Sequence, residues 1–447
     1  MPGSIAKRAV VIGAGMGGLA AAKAVAPFFD TVIALDRDAL PEEPAPRVGT
    51  PQARHAHALL AGGQQALEEL FPGIGAELSA AGAVKTRVGR DIIQERPGFD
   101  PFPRRDLGFD VLCLSRPLLE TVCRRRLRQA PNIEIRPRSR VAEVVPAADH
   151  RGVAAVRYET ESGKQETLAA DLVVDASGRA APTLALLESI GSPKPPETEI
   201  GVDLSYASAV FEIPAGAARD WKGVSHYPAF PDEARGGLIL RIERGRWIVS
   251  LGGVHGDAPP DDIEGFRAFA KSFRTPTFFD AISGARQVGE IARYNQPASI
   301  RRHFHKLEQF PRGLIPLGDA VCRFNPVFGQ GMSVAAQEAV ILGRLLDAGR
   351  AAPLDGLAED YLSRIQDKLE APWATAVFDL VDPRTRGERP ADLGRRLQYG
   401  RALLRLAAED AETHKIMMEV NHLIRLHSAL REPQLAARVM ARMQAAV

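Results

Sequence analysis

Cysteine is scarce in this 447-residue chain, which has three: Cys113, Cys123 and Cys322. No two of them stand in a Cys-x-x-Cys spacing, so the sequence offers no disulfide framework. Few cysteines are typical of proteins from reducing compartments. We therefore expect a cytoplasmic protein whose cysteines are free.

An excess of one charge and long hydrophobic runs are lacking as well. The 57 Lys and Arg residues balance 55 Asp and Glu residues to a formal net charge of +2, which gives no basic excess for nucleic acid. No run reaches the roughly 18 uncharged apolar residues of a membrane span. The apolar N-terminal stretch has no small-residue cleavage site, so we expect no secretory signal there.

Several common catalytic motifs are missing. The chain has neither a Gly-x-Ser-x-Gly elbow nor a phosphate-binding P-loop, and no His/Asp/Ser set can be assembled from it. The histidine pairs His55/His57 and His303/His305 have no third ligand at metal-binding spacing, so we predict no metal site. A bound cofactor must therefore carry the difficult chemical step.

A glycine-rich loop lies between a predicted strand, Ala9 to Ile12, and a predicted helix, Leu19 to Ala26. Backbone N–H groups at such a helix start can receive a pyrophosphate. Asp36 follows a second predicted strand, and a carboxylate at the end of that strand accepts hydrogen bonds from the adenosine ribose. We therefore predict a dinucleotide site formed by Gly13, Gly15, Gly17, Gly18, Asp36 and its neighbour Arg37.

A second motif, Gly318-Asp319-Ala followed by Asn325-Pro-Val-Phe-Gly-Gln-Gly-Met-Ser333, follows another short predicted strand. It resembles the second flavin motif of the para-hydroxybenzoate hydroxylase superfamily. The resemblance implies FAD, with Asp319 at the ribityl and phosphate region and the helix start at the flavin pyrimidine ring. Free N–H groups there would stabilise negative charge on reduced flavin. The helix-start residues implied are Gly329, Gly331 and Met332.

Two further segments resemble the same superfamily. Arg116 matches its helix-opening arginine, which reaches the FAD. Asp175-Ala-Ser-Gly-Arg179 stands where single-component hydroxylases carry an Asp-Gly motif used with both FAD and NADPH, but its Asp-x-x-Gly pattern is more similar to epoxidases, halogenases and prenyl reductases. The resemblance leaves two electron sources open: NADPH or NADH bound directly, or a separate flavin reductase.

The segment Arg47-Val-Gly-Thr-Pro-Gln-Ala-Arg54-His-Ala-His57 resembles the flavin-dependent epoxidases of polyether biosynthesis. The similarity covers most of the chain except the C-terminal tail. Polar loops at the ligand edge of a sheet often contact the cofactor. We predict that Arg47 binds the cofactor and that Arg54 and His57 are the catalytic candidates near the flavin.

The element order and the resemblance predict an α/β fold. A Rossmann-like FAD-binding domain of the GR2 type would cover residues 1–198, with a β-meander, and 296–352. An inserted antiparallel β-sheet substrate domain would cover 199–295, and a C-terminal helical region 353–447. In the substrate domain we predict strands at Leu204 to Ile213, Gly237 to Ile242 and Trp247 to Leu251, a hairpin turn at Glu243 to Arg246 and a helix capped by Asp261.

The resemblance implies a FAD-dependent monooxygenase that inserts one oxygen atom from O2 into a lipophilic organic substrate, by epoxidation or hydroxylation, through a flavin C4a-hydroperoxide. One alternative is a flavin-dependent double-bond reductase of an isoprenoid-like substrate. Another is a non-catalytic flavin-bound interaction protein, or one that lies on membranes through its arginine-rich stretch Leu393 to Leu406; packing of that stretch on the core is the favoured interpretation. A halogenase is disfavoured because the Trp-x-Trp-x-Ile-Pro signature is absent.

Aromatic residues that could line a pocket or belong to the core are Tyr206, Phe211, Phe230, Trp247, Phe266, Trp373 and Phe378.

Overall fold

The computed structural model describes residues 4–216, 219–230, 232–349 and 354–444. Its strands, in chain order, are β1 (Ala6–Ile12), β2 (Phe29–Leu35), β3 (Val84–Arg87), β4 (Ile92–Glu95), β5 (Asp110–Cys113), β6 (Ile133–Arg136), β7 (Arg140–Pro146), β8 (Val153–Glu159), β9 (Gln165–Ala169), β10 (Leu172–Asp175), β11 (Glu197–Ile200), β12 (Leu204–Glu212), β13 (Gly223–His226), β14 (Gly236–Ile242), β15 (Arg246–Val254), β16 (Gln287–Gln296), β17 (Ser299–Arg302), β18 (Leu314–Pro316) and β19 (Cys322–Arg323). The helices are α1 (Met16–Val25), α2 (Ala61–Leu70), α3 (Ile74–Ala80), α4 (Arg116–Arg128), α5 (Ala181–Ser189), α6 (Ile263–Lys271), α7 (Thr277–Ile282), α8 (Gly331–Ala348), α9 (Leu357–Arg364), α10 (Gln366–Val377), α11 (Leu393–Glu409), α12 (Ala411–Asn421) and α13 (Pro433–Gln444).

The first layer is a five-stranded parallel sheet in the order β18-β10-β1-β2-β6. Its central strands are short β-branched runs that are buried on both faces, as parallel sheets require. β1 pairs in parallel with β2 on one side and with β10 on the other. The order in which the chain adds strands to the sheet therefore reverses at β1. Ligands bind in the crevice beyond the carboxyl ends of the strands at such a switch point. This confirms the Rossmann-like α/β class.

The second layer is a six-stranded sheet in the order β16-β12-β15-β14-β13-β4, antiparallel apart from the β13–β4 pair. The strands predicted from Leu204, Gly237 and Trp247 are confirmed, as is the turn from Glu243, which joins β14 to β15. Alternation along β12 gives the sheet two faces. On the far face Phe211 and Trp247 form a core with Phe266 of α6, so these aromatics are core residues. Tyr206 and Ser208 are on the near face, toward the parallel sheet.

Two local predictions need correction. The predicted meander consists of β7, β8 and β9; the sequence does not indicate β9 as a strand, because Gln165–Ala169 is largely polar and exposed. The cap of α6 is Asp262, whose Oδ1 accepts a hydrogen bond from the Gly265 N–H at 2.7 Å. Asp261 is one residue too early, and its carboxylate instead pairs with Arg293 at the surface.

The C-terminal helices cover one end of the near face. Leu403 and Ala407 of α11 are buried in a cluster with Ile248 of β15, whereas Arg401 and Arg405 are exposed. In the chain as described, no helix has the length and apolarity needed to cross a bilayer. The predicted boundary between 352 and 353 lies outside the described residues.

Candidate cofactor and substrate site

The glycine loop after β1 brings bare backbone close to two arginines. A Cβ atom at Gly18 would lie 1.8 Å from the Gly13 carbonyl oxygen, so the loop requires glycine there. A Cβ at Gly15 would meet nothing closer than Nη2 of Arg47 at 3.6 Å and Nη2 of Arg116 at 3.8 Å. Gly15 therefore opens a space between a helix N-terminus and two guanidinium groups, which is the chemistry of a pyrophosphate site.

Arg47 is held in a buried ionic cluster. Its Nη1 lies 2.8 Å from Asp38 Oδ2 and 3.2 Å from Asp36 Oδ1, and its Nε lies 3.3 Å from Glu120 Oε2. Burial alone would lower the pKa of Arg47, but the charges of Asp36, Glu120 and Asp38 outweigh it and raise that pKa. The guanidinium thus stays charged, with Nη2 directed to Gly15.

Arg116 begins α4 and lies beside this cluster. Its Nε donates to Glu120 Oε1 at 2.8 Å, and its Nη1 lies 3.4 Å from His57 Nε2. Burial would raise the pKa of Glu120, but Arg116 and Arg47 hold it below its usual range. Glu120, which the sequence did not single out, is the carboxylate that fixes both arginines.

His57 acts on Arg116 as a neutral acceptor. Its Nδ1 lies 2.9 Å from the carbonyl oxygen of His55, which can only accept, so Nδ1 carries the proton and Nε2 is free to accept from Arg116. Burial, together with the charge of Arg116, lowers the pKa of His57 to about 3. The geometry makes His57 a group that orients Arg116 and a weak base at neutral pH.

Asp36 and the two exposed arginines differ in their placement. Asp36 is buried at the end of β2, where its Oδ2 accepts from the Ala14 N–H at 2.6 Å and its Oδ1 from the Asp38 N–H at 2.9 Å. Arg37 and Arg54 are exposed and lie outside the Arg47 cluster. The structure therefore brings Asp36 into the site and leaves these two arginines at its surface.

Asp319 follows β18 on the loop that leads to α8. The Gly318 N–H donates to Oε2 of the fully buried Glu338 at 2.6 Å, and burial raises the pKa of Glu338 to about 8. Burial also raises the pKa of Asp319, against the opposing charge of Arg116. The Asp319 carboxylate makes no hydrogen bond within residues 4–216, 219–230, 232–349 and 354–444, which leaves it available to a polyol.

The start of α8 adjoins Asp319. A Cβ at Gly331 would lie 3.5 Å from Asp319 Oδ1, and Gly329 has a left-handed φ of +65° that places it against Ala58. Gln330 is buried with its Oε1 unpartnered in the described structure, and Met332 is half-buried against the main core. The helix N-terminus, an unpaired amide oxygen and a free carboxylate thus converge on one region.

The Asp175–Arg179 loop closes the other side of the crevice. Asp175 is fully buried and accepts hydrogen bonds from the Ser177 N–H, the Thr183 N–H and the Thr183 hydroxyl. Both carboxylate oxygens of Asp175 therefore accept hydrogen bonds within its own loop, and the side chain shapes that loop from a fully buried position. Arg179 is exposed at the rim.

The near face of the six-stranded sheet carries a neutral polar network that sequence reasoning missed. His55 Nδ1 lies 2.7 Å from Ser208 Oγ, which lies 2.5 Å from Ser250 Oγ, and the Ala56 N–H donates to Ser250 Oγ. Burial, with the nearby charge of Arg54, lowers the pKa of His55 to about 4. In the sequence His55 and His57 look equivalent; only the sheet behind His55 distinguishes them.

The residues fit an FAD molecule. The open Gly15 space with two arginines suits a pyrophosphate, Asp319 has an unpaired carboxylate, and Gln330 has an unpaired buried amide oxygen. Within the described ranges no group of three or more His, Cys, Asp or Glu side chains is arranged to hold a metal ion.

Solved structures that share this fold include a flavoprotein, a flavin-dependent brominase and a monooxygenase. A flavoprotein/dehydrogenase from Cytophaga hutchinsonii has a TM-score of 0.69 at 15% identity, covering 98% of each chain. The flavin-dependent brominase Bmp2 has a TM-score of 0.67 at 14% identity, covering 99% of each chain. p-Nitrophenol 4-monooxygenase PnpA from Pseudomonas putida has a TM-score of 0.63 at 19% identity, covering 94% of this chain and 98% of that one. The chain thus has the fold of the flavin-dependent monooxygenases and halogenases.

A closer relationship is seen with Protein Rv3254 of Mycobacterium tuberculosis. The two sequences are 36% identical over 403 residues, which covers 86% of this chain and 83% of the mycobacterial protein. The chain belongs to the family of Protein Rv3254. No protein-family model matches it.

Proposed function

We propose that the protein binds FAD and is a flavin-dependent monooxygenase acting on a small organic substrate. The observation that carries this proposal is the convergence of Gly15, Arg47 Nη2, Arg116 and the unpaired Asp319 carboxylate at the switch point of the parallel sheet. FAD, when bound, supplies the reaction of reduced flavin with O2 that transfers one oxygen atom. The protein supplies binding, orientation and electrostatics.

Each group has a defined task in this proposal. Arg47 and Arg116 would bind the pyrophosphate, with His57 and Glu120 fixing the direction of Arg116. Asp319 would bind the ribityl hydroxyls. The N-terminus of α8 would favour negative charge on the reduced flavin ring. The C-terminal helices, which cover one end of the near face, would help to exclude water.

The substrate side favours oxygen transfer that needs no protein base. His55 and His57, the histidines of the loop between the sheets, are neutral and weakly basic because burial lowers the pKa of each, to about 4 and about 3. Hydroxylation of a phenol benefits from a base that removes the proton of the phenolic hydroxyl, whereas epoxidation of an alkene needs no such base. We therefore propose epoxidation ahead of phenol hydroxylation, in a lipophilic substrate.

The cofactor assignment is tested by purifying the protein, releasing its flavin by heat and identifying it by chromatography. We expect FAD in the wild type and its loss from Asp319→Ala, with Gly284→Ala as the control because Gly284 is exposed and nothing lies within 4 Å of its Cβ position. Full FAD occupancy in Asp319→Ala would contradict the assignment.

The electron source is tested separately. Consumption of NADPH and NADH by the purified flavoprotein is compared with and without an added flavin reductase. Because Asp175 is fully buried and both of its carboxylate oxygens accept hydrogen bonds from its own loop, we propose that reduction depends on the separate reductase. Rapid reduction of the protein by NADPH alone would contradict that route while leaving the oxygen reaction intact.

A further inference from the structure

The turn between β14 and β15 contacts the start of α4. Glu243 Oε2 accepts a hydrogen bond from the Ser115 N–H at 2.9 Å, and Glu243 Oε1 accepts one from the Ser115 hydroxyl at 2.5 Å. Gly82 leaves room for this contact, since a Cβ there would lie 3.2 Å from Glu243 Cβ. The two bonded residues are 128 positions apart, so Glu243 joins the six-stranded sheet to a helix of the Rossmann-like domain.

Ser115 is the N-cap of α4, and Glu243 fixes its side chain. The Ser115 hydroxyl donates to Glu243 and accepts a hydrogen bond from the Leu118 N–H at 3.4 Å. A carboxylate beside the first turn of a helix is also favoured by the partial positive charge of the helix N-terminus. The next residue is Arg116, so Glu243 holds the backbone from which Arg116 projects.

The same hairpin also supports the guanidinium of Arg116. Ser250 of β15 accepts a hydrogen bond from the Ala56 N–H at 3.0 Å. The residue after Ala56 is His57, whose Nε2 lies 3.4 Å from Arg116 Nη1. Arg116 is thus held at its backbone through Glu243 and at its guanidinium through the loop that Ser250 fixes. A long side chain that is ordered in advance loses less entropy when it binds a ligand.

We propose that Glu243 is a positioning residue of the cofactor site. It holds the start of α4 so that Arg116 Nη2, which lies 3.8 Å from the Cβ position of Gly15, faces the space for the FAD pyrophosphate. Glu243 acts through Ser115 and Arg116 and not by contact with FAD. This role rests on the proposed function and adds to the same site a residue of the six-stranded sheet.

The test is the FAD affinity of Glu243 variants, measured by diluting the FAD-loaded protein and following the fluorescence of the released flavin. We expect Glu243→Ala to bind FAD about tenfold more weakly, the lower end of what hydrogen bonds to a charged group contribute. Glu243→Gln should stay within about threefold of the wild type, because an amide can accept from the Ser115 N–H with its oxygen and donate to the Ser115 hydroxyl with its nitrogen.

The matched control is Asp262→Ala, which removes the carboxylate cap of α6. Because α6 packs on the far face of the six-stranded sheet, loss of its cap should lower the free energy of unfolding and leave the FAD affinity unchanged. A double-mutant cycle isolates the route through Arg116: in an Arg116→Ala background, Glu243→Ala should weaken FAD binding no further.

Circular dichroism verifies the folding of each variant. Ser115→Ala keeps the N–H contact and loses the hydroxyl contact, so it should weaken FAD binding about threefold and provides a second test if Glu243→Ala does not fold. Wild-type FAD affinity in Glu243→Ala or in Ser115→Ala would overturn the role of Glu243. Equal losses of affinity in Glu243→Ala and Asp262→Ala, or a full further loss in the Arg116→Ala background, would overturn it too. Absence of FAD from the wild type would instead overturn the proposed function itself, so the two failures are distinguishable.

Discussion

Removing Arg47 tests the architecture of the cofactor site most severely. Arg47→Ala leaves the carboxylates of Asp36, Asp38 and Glu120 buried without the cation that joins them, although Arg116 and Arg124 still contact Glu120. Loss of one partner from a buried ionic group costs about 3–5 kcal/mol. Because two arginines remain on Glu120, we expect the lower value, about 3 kcal/mol, or roughly a hundredfold in the unfolding equilibrium.

The assay is denaturant unfolding of the cofactor-free protein, followed by circular dichroism. The control is Arg344→Ala, since the Arg344 side chain is 67% exposed in its pair with Glu69. Such an exposed pair contributes below about 1 kcal/mol. Losses of similar size in the two variants would refute the assignment of Arg47 as the centre of a buried cluster.

The penalty for removing Arg47 should also depend on pH. The pKa of Glu120 is lowered in the folded wild type, so this carboxylate stabilises the fold above its unfolded pKa, and that contribution is lost as the pH falls. Without Arg47 the pKa of Glu120 should be lowered less, because one of the two arginines that lower it is gone. We expect the difference between variant and wild type to shrink as the pH falls below the ordinary pKa of a glutamate, and a difference that grows there would contradict the reasoning.

Three further predictions concern the loops. Gly15→Ala should fold normally and lose FAD affinity. Gly18→Ala should fail to fold stably, because its Cβ would lie 1.8 Å from the Gly13 carbonyl oxygen. Thermal melts report the folding of each variant, and flavin content reports its FAD binding. Asp319→Asn should retain more FAD than Asp319→Ala, because an amide still bonds to hydroxyls, and equal occupancy would argue against hydrogen bonding there. Burial raises the pKa of Asp379 to about 7, so ionisation of this carboxyl destabilises the fold as the pH rises from about 4 to 7. In denaturant unfolding, Asp379→Asn should therefore be more stable than the wild type at pH 8 and equally stable at pH 4.

The parallel sheet and its glycine loop could be predicted because short-range patterns determine them. Buried strands of β-branched residues, a glycine loop and an acid about 20 residues later are all local signals. The helix start at Gly331 and the antiparallel strands could likewise be predicted, from the second flavin motif and from the periodicity and turn residues. A polar edge strand such as Gln165–Ala169 has no apolar alternation, so its pairing with β8 was hidden.

The site was harder to predict because its partners are distant along the chain. Glu120 looks like an ordinary helix residue until Arg47 is placed beside it. Glu338 accepts a hydrogen bond from the Gly318 N–H, 20 residues earlier in the chain. His55 and Ser208 are separated by 153 residues. No local sequence pattern encodes contacts between residues so far apart. The catalytic roles near the flavin that were predicted for Arg54 and His57 remain predictions.

The reaction of the reduced flavoprotein with O2 tests the proposed function most directly. The protein is photoreduced without oxygen and mixed with oxygenated buffer in a stopped-flow spectrometer, with and without a lipophilic alkene. A flavin monooxygenase should show a transient absorbance that belongs to neither the reduced nor the oxidised flavin before the oxidised form appears. Direct, single-phase return to oxidised flavin under both conditions would contradict the monooxygenase assignment and favour the double-bond reductase.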